Sequence, residues 1–422
     1  MRHDRRIGSL LVVLSLPLTA AGETAAVYEW DGHVKARVLA EAYPDRSLFR
    51  DVVGAGALDA ESDLRLNLSV DRGRFGLHGD YQAFVLAGDT VDLARNAVLQ
   101  PGAEFQRFPD DARRLFDLTH VIGESGDSLS LHRLDRLWLG YAGENTVVRI
   151  GRQALTWGGG LFFSPLDIVN PFDPAAIDTE YKAGDDMLYA QFLRSSGDDV
   201  QFAYVARREL GSGDVRTDEA TAALKYHGIL GDSEYDLLLA RNYGRTTVGL
   251  GGNRSIGGAV ARADVVVTDG DDWTVEVIAN LSYSWVWWDR NVSGAFEYYF
   301  NGWGQRNGRY DPLSLSANPE LLERLARGET FSLGRNYLAF GVPVEVSPLW
   351  QVTPNVFANL DDRSALLQVV AQHSLGDNLT LLGAFNLPIG PDGTEYGGID
   401  TGVPDRYLSR SASLFAQLAW YF

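Results

Sequence analysis

Apolar and polar residues alternate along most of this chain, in segments of ten or more residues. The clearest segment is WTVEVIANLSYSWVW, residues 273–287, in which every second side chain is apolar. A period of two places successive side chains on opposite faces of a β-strand. After the first twenty-odd residues there is no apolar run of about 18 residues, the length that a membrane-spanning helix needs. The pattern therefore predicts long strands with one apolar face.

These segments are longer than the strands of most water-soluble sheets, which have about five or six residues. A tilted strand that crosses a bilayer needs about nine to eleven residues. Aromatic residues at strand ends are typical of membrane interfaces, and here Trp273, Trp285, Trp287 and Trp420 occupy such positions. Because only a closed barrel satisfies all the backbone groups of a sheet in lipid, we predict an all-β fold, a transmembrane antiparallel β-barrel.

The connections between strands predict about eighteen of them, with sixteen as the alternative. Eighteen strands place tight turns on one side and the longest connections on the other, as in bacterial barrels with short periplasmic turns and long outer loops. This number divides residues 233–268 into three strands. The five longest connections then lie on the outer side: residues 44–60, 89–130, 157–184, 304–331 and 389–408.

The N-terminal segment has the order of a secretory signal peptide. Basic residues come first (Arg2, Arg5 and Arg6), a short apolar stretch follows at 10–18, and small residues end at Gly22. We therefore expect three parts: residues 1–22 as signal peptide, 23–32 as a short periplasmic segment, and 33–422 as the outer-membrane barrel.

Composition excludes several classes of function. The chain has no cysteine, so disulfides, thiolate metal sites and cysteine nucleophiles are excluded. Its formal net charge of −19 argues against nucleic acid as a partner. No Gly-x-Ser-x-Gly nucleophile motif and no His-Glu-x-x-His metal motif occurs. We therefore expect neither an enzyme nor a cofactor nor a metal site.

The C-terminal sequence SLFAQLAWYF continues the alternation to the last residue. Leu418, Trp420 and Phe422 share the apolar face of this strand, which we expect to contact lipid. The pattern resembles the C-terminal signal that outer-membrane barrels present to the barrel assembly machinery. We therefore expect that machinery to be a partner of the chain.

Residues 151–186 have no regular period and are rich in Gly and Pro, which interrupt strand pairing. Their apolar content is high for a loop in water, so we expect residues 157–184 to fold into the barrel and constrict it. The alternative is an outer lid packed on other loops. Candidate constriction residues are Trp157, Asp167, Asn170, Asp173, Asp178 and Glu180.

Charged residues on the polar faces of the strands are expected to line the lumen, where mixed charged rings select solutes by charge. Alternatively, these residues only solvate the wall or pair with each other across strands. Arg152 has the wrong parity for the lumen unless a bulge lies nearby. The basic candidates for lining the pore are Lys35, Arg37, Arg65, Arg74, Arg136 and Arg149.

Several short motifs resemble those of porin-like outer-membrane proteins of Gram-negative bacteria. They are Gly151-Arg152-Gln153 followed by Trp157-Gly158, then Asn170-Pro171-Phe172-Asp173, and Tyr298-Tyr299-Phe300-Asn301-Gly302. A more distant likeness is to alginate-export-type barrels, which have eighteen strands. The resemblance implies a barrel channel in the bacterial outer membrane and implies no particular solute.

We therefore predict a porin-type channel for passive diffusion of small molecules or oligosaccharides. Three alternatives remain open: an exporter of a polyanionic exopolysaccharide, an uptake channel for hydrophobic solutes, and a barrel without an open pore. Outer-membrane lipid and lipopolysaccharide are expected to surround the barrel. The sequence leaves its oligomeric state open.

Overall fold

The computed structural model describes residues 25–96, 110–270 and 272–422. It is an all-β structure in which eighteen antiparallel strands close into one barrel, which confirms the predicted fold and strand number. The strand segments are β1 (Val27–Ala42), β2 (Gly56–Arg72), β3 (Phe75–Gly88), β4 (Thr119–Glu124), β5 (Ser128–Ala142), β6 (Thr146–Gln153), β7 (Asp185–Leu193), β8 (Asp199–Arg208), β9 (Val215–Leu230), β10 (Ser233–Asn242), β11 (Arg245–Ile256), β12 (Ala259–Asp269), β13 (Trp273–Trp287), β14 (Arg290–Asn301), β15 (Asn336–Gly341), β16 (Val344–Ser347), β17 (Trp350–Asn359), β18 (Ser364–Gly376), β19 (Leu379–Ile389), β20 (Ile399–Asp400), β21 (Tyr407–Leu408) and β22 (Ala412–Tyr421). Short helices lie in the connections: α1 (Leu48–Val53), α2 (Val91–Asn96), α3 (Pro312–Ser316) and α4 (Pro319–Arg327).

The wall contains fewer strands than there are segments, for three reasons. β15 and β16 form one interrupted strand between β14 and β17. β4 pairs only with the outer part of β5, and β20 and β21 form a separate two-stranded sheet. Residues 233–268 form β10, β11 and β12, so the predicted division into three strands is confirmed.

The barrel closes at β1, which pairs with β2 on one side and with β22 on the other. At this closure Lys35 lies opposite Ala419, and the backbones of Gly32 and Phe422 exchange two hydrogen bonds of 3.0 Å. Closure pairs the two ends of the sheet with each other, which a sheet in lipid requires because no water is present to satisfy a free edge.

Side chains alternate between the lipid face and the lumen in the predicted register. On β22, Leu414, Leu418 and Trp420 are exposed on the outside, whereas Phe415 and Gln417 are buried inside. Leu239 of β10, Leu250 of β11 and Leu281 of β13 are exposed outwards in the same way. The barrel therefore presents an apolar belt to its surroundings and keeps its polar residues within.

The hairpin of β6 and β7 makes a notch in the outer part of the wall. These strands have 8 and 9 residues, against 15 residues in the adjacent β5. Beyond Gln153, residues 110–124 fill the gap between β5 and β8. β4 pairs with β5, and the Arg208 N–H donates to the Arg113 carbonyl at 2.8 Å. The connection that follows β6 therefore leaves the wall part-way along the barrel.

The backbone near the end of β6 is unusual at Gly151. Gly151 has a φ of +124°, and a Cβ atom there would lie 2.2 Å from the Leu137 carbonyl oxygen. Only glycine adopts this conformation readily. The next residue, Arg152, keeps its pairing with Leu137 and Asp186, and its guanidinium is buried at the notch against Asp111 and the Phe116 carbonyl.

Several strand boundaries differ from the prediction: β2 begins at Gly56 and β5 at Ser128, inside the connections expected over residues 44–60 and 89–130. β1 begins at Val27 rather than at residue 33, because its first residues are already paired with the end of β2. The strand between β14 and β17 is divided into β15 and β16. Pro343 lies between them and has no N–H to donate to a neighbouring strand.

Residues 304–331, predicted as a loop, contain helices α3 and α4. Asp311 caps α3 by accepting a hydrogen bond from the Ser314 N–H, and Asn318 caps α4 by accepting one from the Leu321 N–H. The buried residues of both helices pack over one side of the outer mouth. No helix in the described residues is long and apolar enough to cross a membrane.

A charge on the outer face of β10 tests the assignment of that face to lipid. Leu239 is 55% exposed on this face. We expect Leu239→Arg to lower the free energy of unfolding by about 2–4 kcal/mol, the typical cost of arginine at the bilayer midplane. Urea unfolding of the barrel in lipid vesicles measures it. Leu239→Met is the control and should leave stability nearly unchanged; equal stability of both variants would contradict the assignment.

Candidate functional site: the loop across the lumen

The connection from β6 to β7 lies inside the barrel; residues 157–184 are called the crossing loop below. Its two ends are tied together by Lys182, whose Nζ lies 2.6 Å from Asp167 Oδ2 and donates to the Leu155 carbonyl at 2.5 Å. Asp167 also accepts a hydrogen bond from the Trp157 N–H at 3.3 Å. Burial raises the pKa of Asp167 to about 6, although the Lys182 ammonium opposes this change. The contact between Lys182 and Asp167 holds the base of the loop.

From this base the crossing loop runs along β14. The carboxylate of Glu297 accepts hydrogen bonds from the N–H groups of Leu161, Phe162 and Phe163 at 2.8, 3.2 and 2.7 Å. Phe163 stacks on Tyr299 with ring centroids 4.5 Å apart. One wall carboxylate thus satisfies three consecutive backbone donors that are removed from water.

Leu166 of the crossing loop packs into a shallow depression on β11, at two glycines. A Cβ atom on Gly249 would lie 2.3 Å from Leu166 Cδ2, and one on Gly251 would lie 2.6 Å from Cδ1. Any larger residue at either position would collide with the loop. Leu166 is 2% exposed and belongs to a cluster with Leu238 and Val266 of the wall.

The far end of the crossing loop is held by β1. The carboxylate of Asp178 lies 2.7 Å from Lys35 Nζ and 3.1 Å from Arg37 Nη2. Glu180 lies 2.7 Å from the same lysine and accepts a hydrogen bond from the Tyr421 hydroxyl at 2.9 Å. Burial raises the pKa of Asp178, but the two cations outweigh it and hold the pKa at about 2. The loop therefore contacts β11 on one side of the lumen and β1 on the other, nine strands away in the eighteen-stranded wall.

The structure pairs most of the predicted basic residues with carboxylates. Lys35 and Arg37 contact the crossing loop, and Arg37 also contacts Glu61. Arg65 lies 2.6 Å from Asp80 and 2.9 Å from Asp135. Its guanidinium also covers the ring of Tyr181, at 3.9 Å from the centroid. Arg136 contacts Asp135 at 2.6 Å and donates to the Lys182 carbonyl. These four side chains are buried or nearly so, and their charges are compensated.

The remaining two basic candidates lie elsewhere. The guanidinium of Arg149 lies inside the barrel, 4.9 Å from the Trp138 ring centroid and 5.8 Å from that of Tyr189. Arg74 was predicted to face the lumen, and this prediction is wrong. It belongs to the turn between β2 and β3, its side chain is 57% exposed, and it faces Glu144 at 3.8 Å. The strand begins only at Phe75, so the alternation does not extend to Arg74.

Strand alternation missed a second group of buried ion pairs at the notch. Arg152 Nη1 lies 2.8 Å from Asp111, and its Nη2 lies 3.0 Å from Asp186. Burial raises the pKa of Asp111, but Arg152 and Arg114 hold it well below its usual range. Arg207 lies 3.2 Å from Asp185. In the sequence, the adjacent acidic residues Asp185 and Asp186 at the start of β7 are the signal that could have indicated this group.

The candidate constriction residues have different positions along the crossing loop. Trp157 and Asp167 are buried at its base, where the Trp157 Nε1–H donates to Gln201 Oε1 at 2.7 Å. Asn170 has a φ of +50° and donates to the Ala183 carbonyl at 3.4 Å. Asp178 and Glu180 are bound at β1. Asp173 lines a pocket.

This pocket, called the outer pocket below, lies between the crossing loop and the wall of β18, β19 and β22. It is open to solvent, and the space inside it, open solvent included, is about 680 Å³. Its lining is mixed, with apolar and aromatic side chains beside amides and carboxylates. The lining residues are Phe49, Asp173, Ala175, Leu366, Gln368, Asn386, Pro388, Glu395, Tyr396, Leu408, Arg410, Ala412 and Ser413. Among the described residues, no cluster of His, Asp or Glu is arranged to hold a metal ion.

Glu395 joins the outer pocket to the neighbouring loops. Its carboxylate accepts hydrogen bonds from the Leu333 N–H at 2.8 Å, from the Tyr337 hydroxyl at 2.6 Å and from Asn359 Nδ2 at 2.7 Å. Burial raises the pKa of Glu395 to about 7, because desolvation outweighs these hydrogen bonds. Residues 390–411 are thereby attached to β15 and β17.

Neither a protein-family model nor a curated protein matches the sequence. Solved outer-membrane barrels match its structure. OccAB4 of Acinetobacter baumannii has a TM-score of 0.55 at 7% identity, covering 95% of this chain and 98% of that one. A BenF-like porin from Pseudomonas fluorescens Pf-5 has a TM-score of 0.52 at 8% identity, covering 94% and 98%. The fold is that of a porin. OccK2 (OpdF) of Pseudomonas aeruginosa, solved with glucuronate, has a TM-score of 0.50 at 9% identity, covering 94% and 98%.

Truncating Leu166 tests the attachment of the crossing loop. We expect Leu166→Ala to weaken docking by about 2–5 kcal/mol, since it removes a buried side chain and leaves a cavity against Gly249 and Gly251. Hydrogen exchange of residues 157–184 should then become faster. Leu161→Ala, in the same loop but 39% exposed, is the matched control. Equal exchange in the two variants would show that the contact of Leu166 with Gly249 and Gly251 does not hold the loop.

The ionisation of Glu395 predicts a pH dependence at the outer mouth. A carboxyl group whose pKa in the folded state is raised stabilises the fold fully below its ordinary value near 4.5, and this stability is lost as pH rises through about 7. Hydrogen exchange of residues 390–411 should therefore become faster between pH 5 and about 8. Glu395→Gln should remove this additional change, while both proteins follow the same intrinsic pH trend. An identical profile in the variant would assign the change to another group.

Proposed function

We propose that this chain is an outer-membrane channel through which small solutes diffuse passively, with the crossing loop as its constriction. The observation that carries the proposal is the attachment of the loop to opposite walls, at Gly249 and Gly251 of β11 and at Lys35 of β1. A segment held on both sides of a bore narrows it without any chemical step, and pore width and lining charge then select the solutes.

The proposed location in the outer membrane follows from the outer surface of the barrel. The wall is closed and carries an apolar outer belt, as a barrel in lipid requires. The similar solved barrels include a BenF-like porin. Residues 1–22, which we propose as the signal peptide, lie outside the described residues. We also propose that the periplasmic side is the side of the short turns.

The surface also supports two proposed interactions during and after assembly. Leu418 and Trp420 are exposed on the lipid face, and Phe422 lies 5.1 Å from Trp420 between ring centroids. We propose that these three residues are recognised by the barrel assembly machinery. Lipopolysaccharide would then contact the outer part of the same apolar belt.

Two of the alternative functions are disfavoured by the lumen. An exporter of a polyanion needs free basic side chains along the bore, whereas Lys35, Arg37, Arg65 and Arg136 are engaged by carboxylates. An uptake channel for hydrophobic solutes needs exposed apolar side chains in the passage. In the crossing loop, Phe163, Leu166 and Val169 are instead buried. A solved neighbour with bound glucuronate is compatible with passage of small organic solutes.

Single-channel recording in a planar bilayer tests the proposal. We expect stable open steps from the refolded protein, and larger steps after deletion of residues 157–184, because that segment no longer crosses the bore. Shortening the outer turn at residues 210–213, which links β8 to β9, is the control and should leave conductance unchanged. Silence from both the folded protein and the loop deletion would refute the channel and favour a barrel without an open pore.

A further inference from the structure

The first residues of β1 extend beyond the point where β22 stops pairing with it. β1 pairs with β2 over all of its 16 residues, but with β22 only from His33 onwards. Just before His33, the backbones of Gly32 and Phe422 exchange two hydrogen bonds. Residues 27–31, called the β1 extension below, therefore have β2 on one side. In the part of the chain that the structure describes, no strand pairs with their other side.

This free side carries backbone hydrogen-bonding groups at every second residue. In an antiparallel pair, residues that exchange both hydrogen bonds alternate with residues that exchange none. Because Gly32 exchanges both with Phe422, the N–H and C=O groups of Trp30 and Tyr28 point to the same side as those of Gly32. The groups of the residues between them point to β2. A free row of this kind is a template for a further strand.

The side chains of the β1 extension divide into an apolar and an acidic face. Tyr28 and Trp30, each 70% exposed, lie on the same face as the outer apolar belt. Glu29 and Asp31 lie on the other face, which continues the lumen side of β1, and both are exposed. The free side is therefore bordered by aromatic rings on one face and by two carboxylates on the other.

We propose that the β1 extension binds an extended peptide segment of another protein, in which basic and apolar residues alternate. The segment pairs antiparallel to β1 and continues the line of β22. Its basic side chains lie beside Glu29 and Asp31, and its apolar side chains lie beside Tyr28 and Trp30. Binding does not depend on the proposed channel function. That the partner is periplasmic rests on the proposed assignment of the short turns to the periplasm.

Other occupants of this edge satisfy fewer of its groups. Antiparallel pairing with the same segment of a second copy would place the acidic residues of both copies on one face. Like charges opposite each other on neighbouring strands destabilise a sheet. Lipid chains would cover the two rings but offer no hydrogen bond to the backbone of Tyr28 and Trp30. A basic and apolar strand satisfies the backbone, the rings and the carboxylates together.

Fluorescence anisotropy of a labelled synthetic peptide tests the proposal. The barrel is purified from membranes and held in nanodiscs of zwitterionic lipid, which leave both of its ends open to water; empty nanodiscs give the background. The probe is a capped hexapeptide of alternating lysine and valine, and its control has glutamate in place of lysine. We expect the lysine peptide to bind about tenfold more tightly, as one or two charge interactions near a protein surface allow.

Methylation of the peptide nitrogens tests strand pairing without any change in the protein. The peptide residue opposite Trp30 faces the apolar side, so it is a valine, and its N–H donates to β1 in an antiparallel pair. N-methylation of the valines should therefore weaken binding by about tenfold or more. N-methylation of the lysines, whose N–H groups point away from β1, is the matched control and should leave binding nearly unchanged. Equal effects of the two methylations would overturn the proposal.

Variants of the barrel test the position of the site. Trp30→Pro removes an N–H from the free side only, which a sheet edge tolerates, and should weaken binding more than Trp30→Ala, which keeps that N–H. Glu29→Gln should also weaken binding of the lysine peptide. Its control is Glu144→Gln, in the turn between β5 and β6 at the same end of the barrel, where the side chain is 88% exposed.

Two further results would overturn the proposal. One is unchanged binding of the lysine peptide in both Trp30→Pro and Glu29→Gln. The other is equal binding of the lysine and glutamate peptides by the unaltered barrel. Both readouts are independent of conductance, so a barrel that never conducts can still confirm the site, and a conducting barrel that binds no peptide refutes only the site.

Discussion

Compensation of buried charge is the constraint on which the interior of this barrel depends. Lipid requires an apolar outer face, so the alternation of each strand places its charged residues inside. There, an unpaired charge is costly because little water reaches it. Arg65 and Arg152 are almost completely buried, and each contacts two carboxylates. The crossing loop is part of this compensation, because Asp178 supplies the carboxylate for Lys35 and Arg37.

The lumen is consequently divided into two sides with different chemistry. From β1 to β8 the inner wall is rich in ion pairs, whereas from β14 to β17 it carries the aromatic residues Tyr299, Tyr337 and Phe357, on which Phe163 of the crossing loop packs. The crossing loop matches both sides, since its apolar residues face the aromatic cluster and its acidic end faces the basic residues of β1. This match explains how a segment without regular secondary structure keeps one position inside a wide barrel.

The barrel, its strand number and its two faces were predictable because alternation is a local property of each strand. Positions whose surroundings come from a loop or a turn were not: Arg152 is buried against Asp111 and the Phe116 carbonyl, and Arg74 lies in the turn before β3. The charge of the lumen could not be predicted from the alternation either, because its ion pairs join residues as far apart in the sequence as Lys35 and Asp178. The infolding of residues 157–184 was expected from their apolar content, but their contacts with Glu297, Gly249 and Gly251 depend on tertiary structure.

The short β6–β7 hairpin has a consequence for how the chain tolerates change. Outer loops of barrels usually accept insertions and deletions because they bear no part of the wall. Residues 110–124 are topologically such a loop, yet they complete the wall at the notch through β4 and through Asp111. Variation in length is therefore restricted within this segment, while the neighbouring turn at residues 209–214 is free to vary. Part of the wall is therefore formed by a loop, and insertions or deletions in that segment are constrained as they are in a strand.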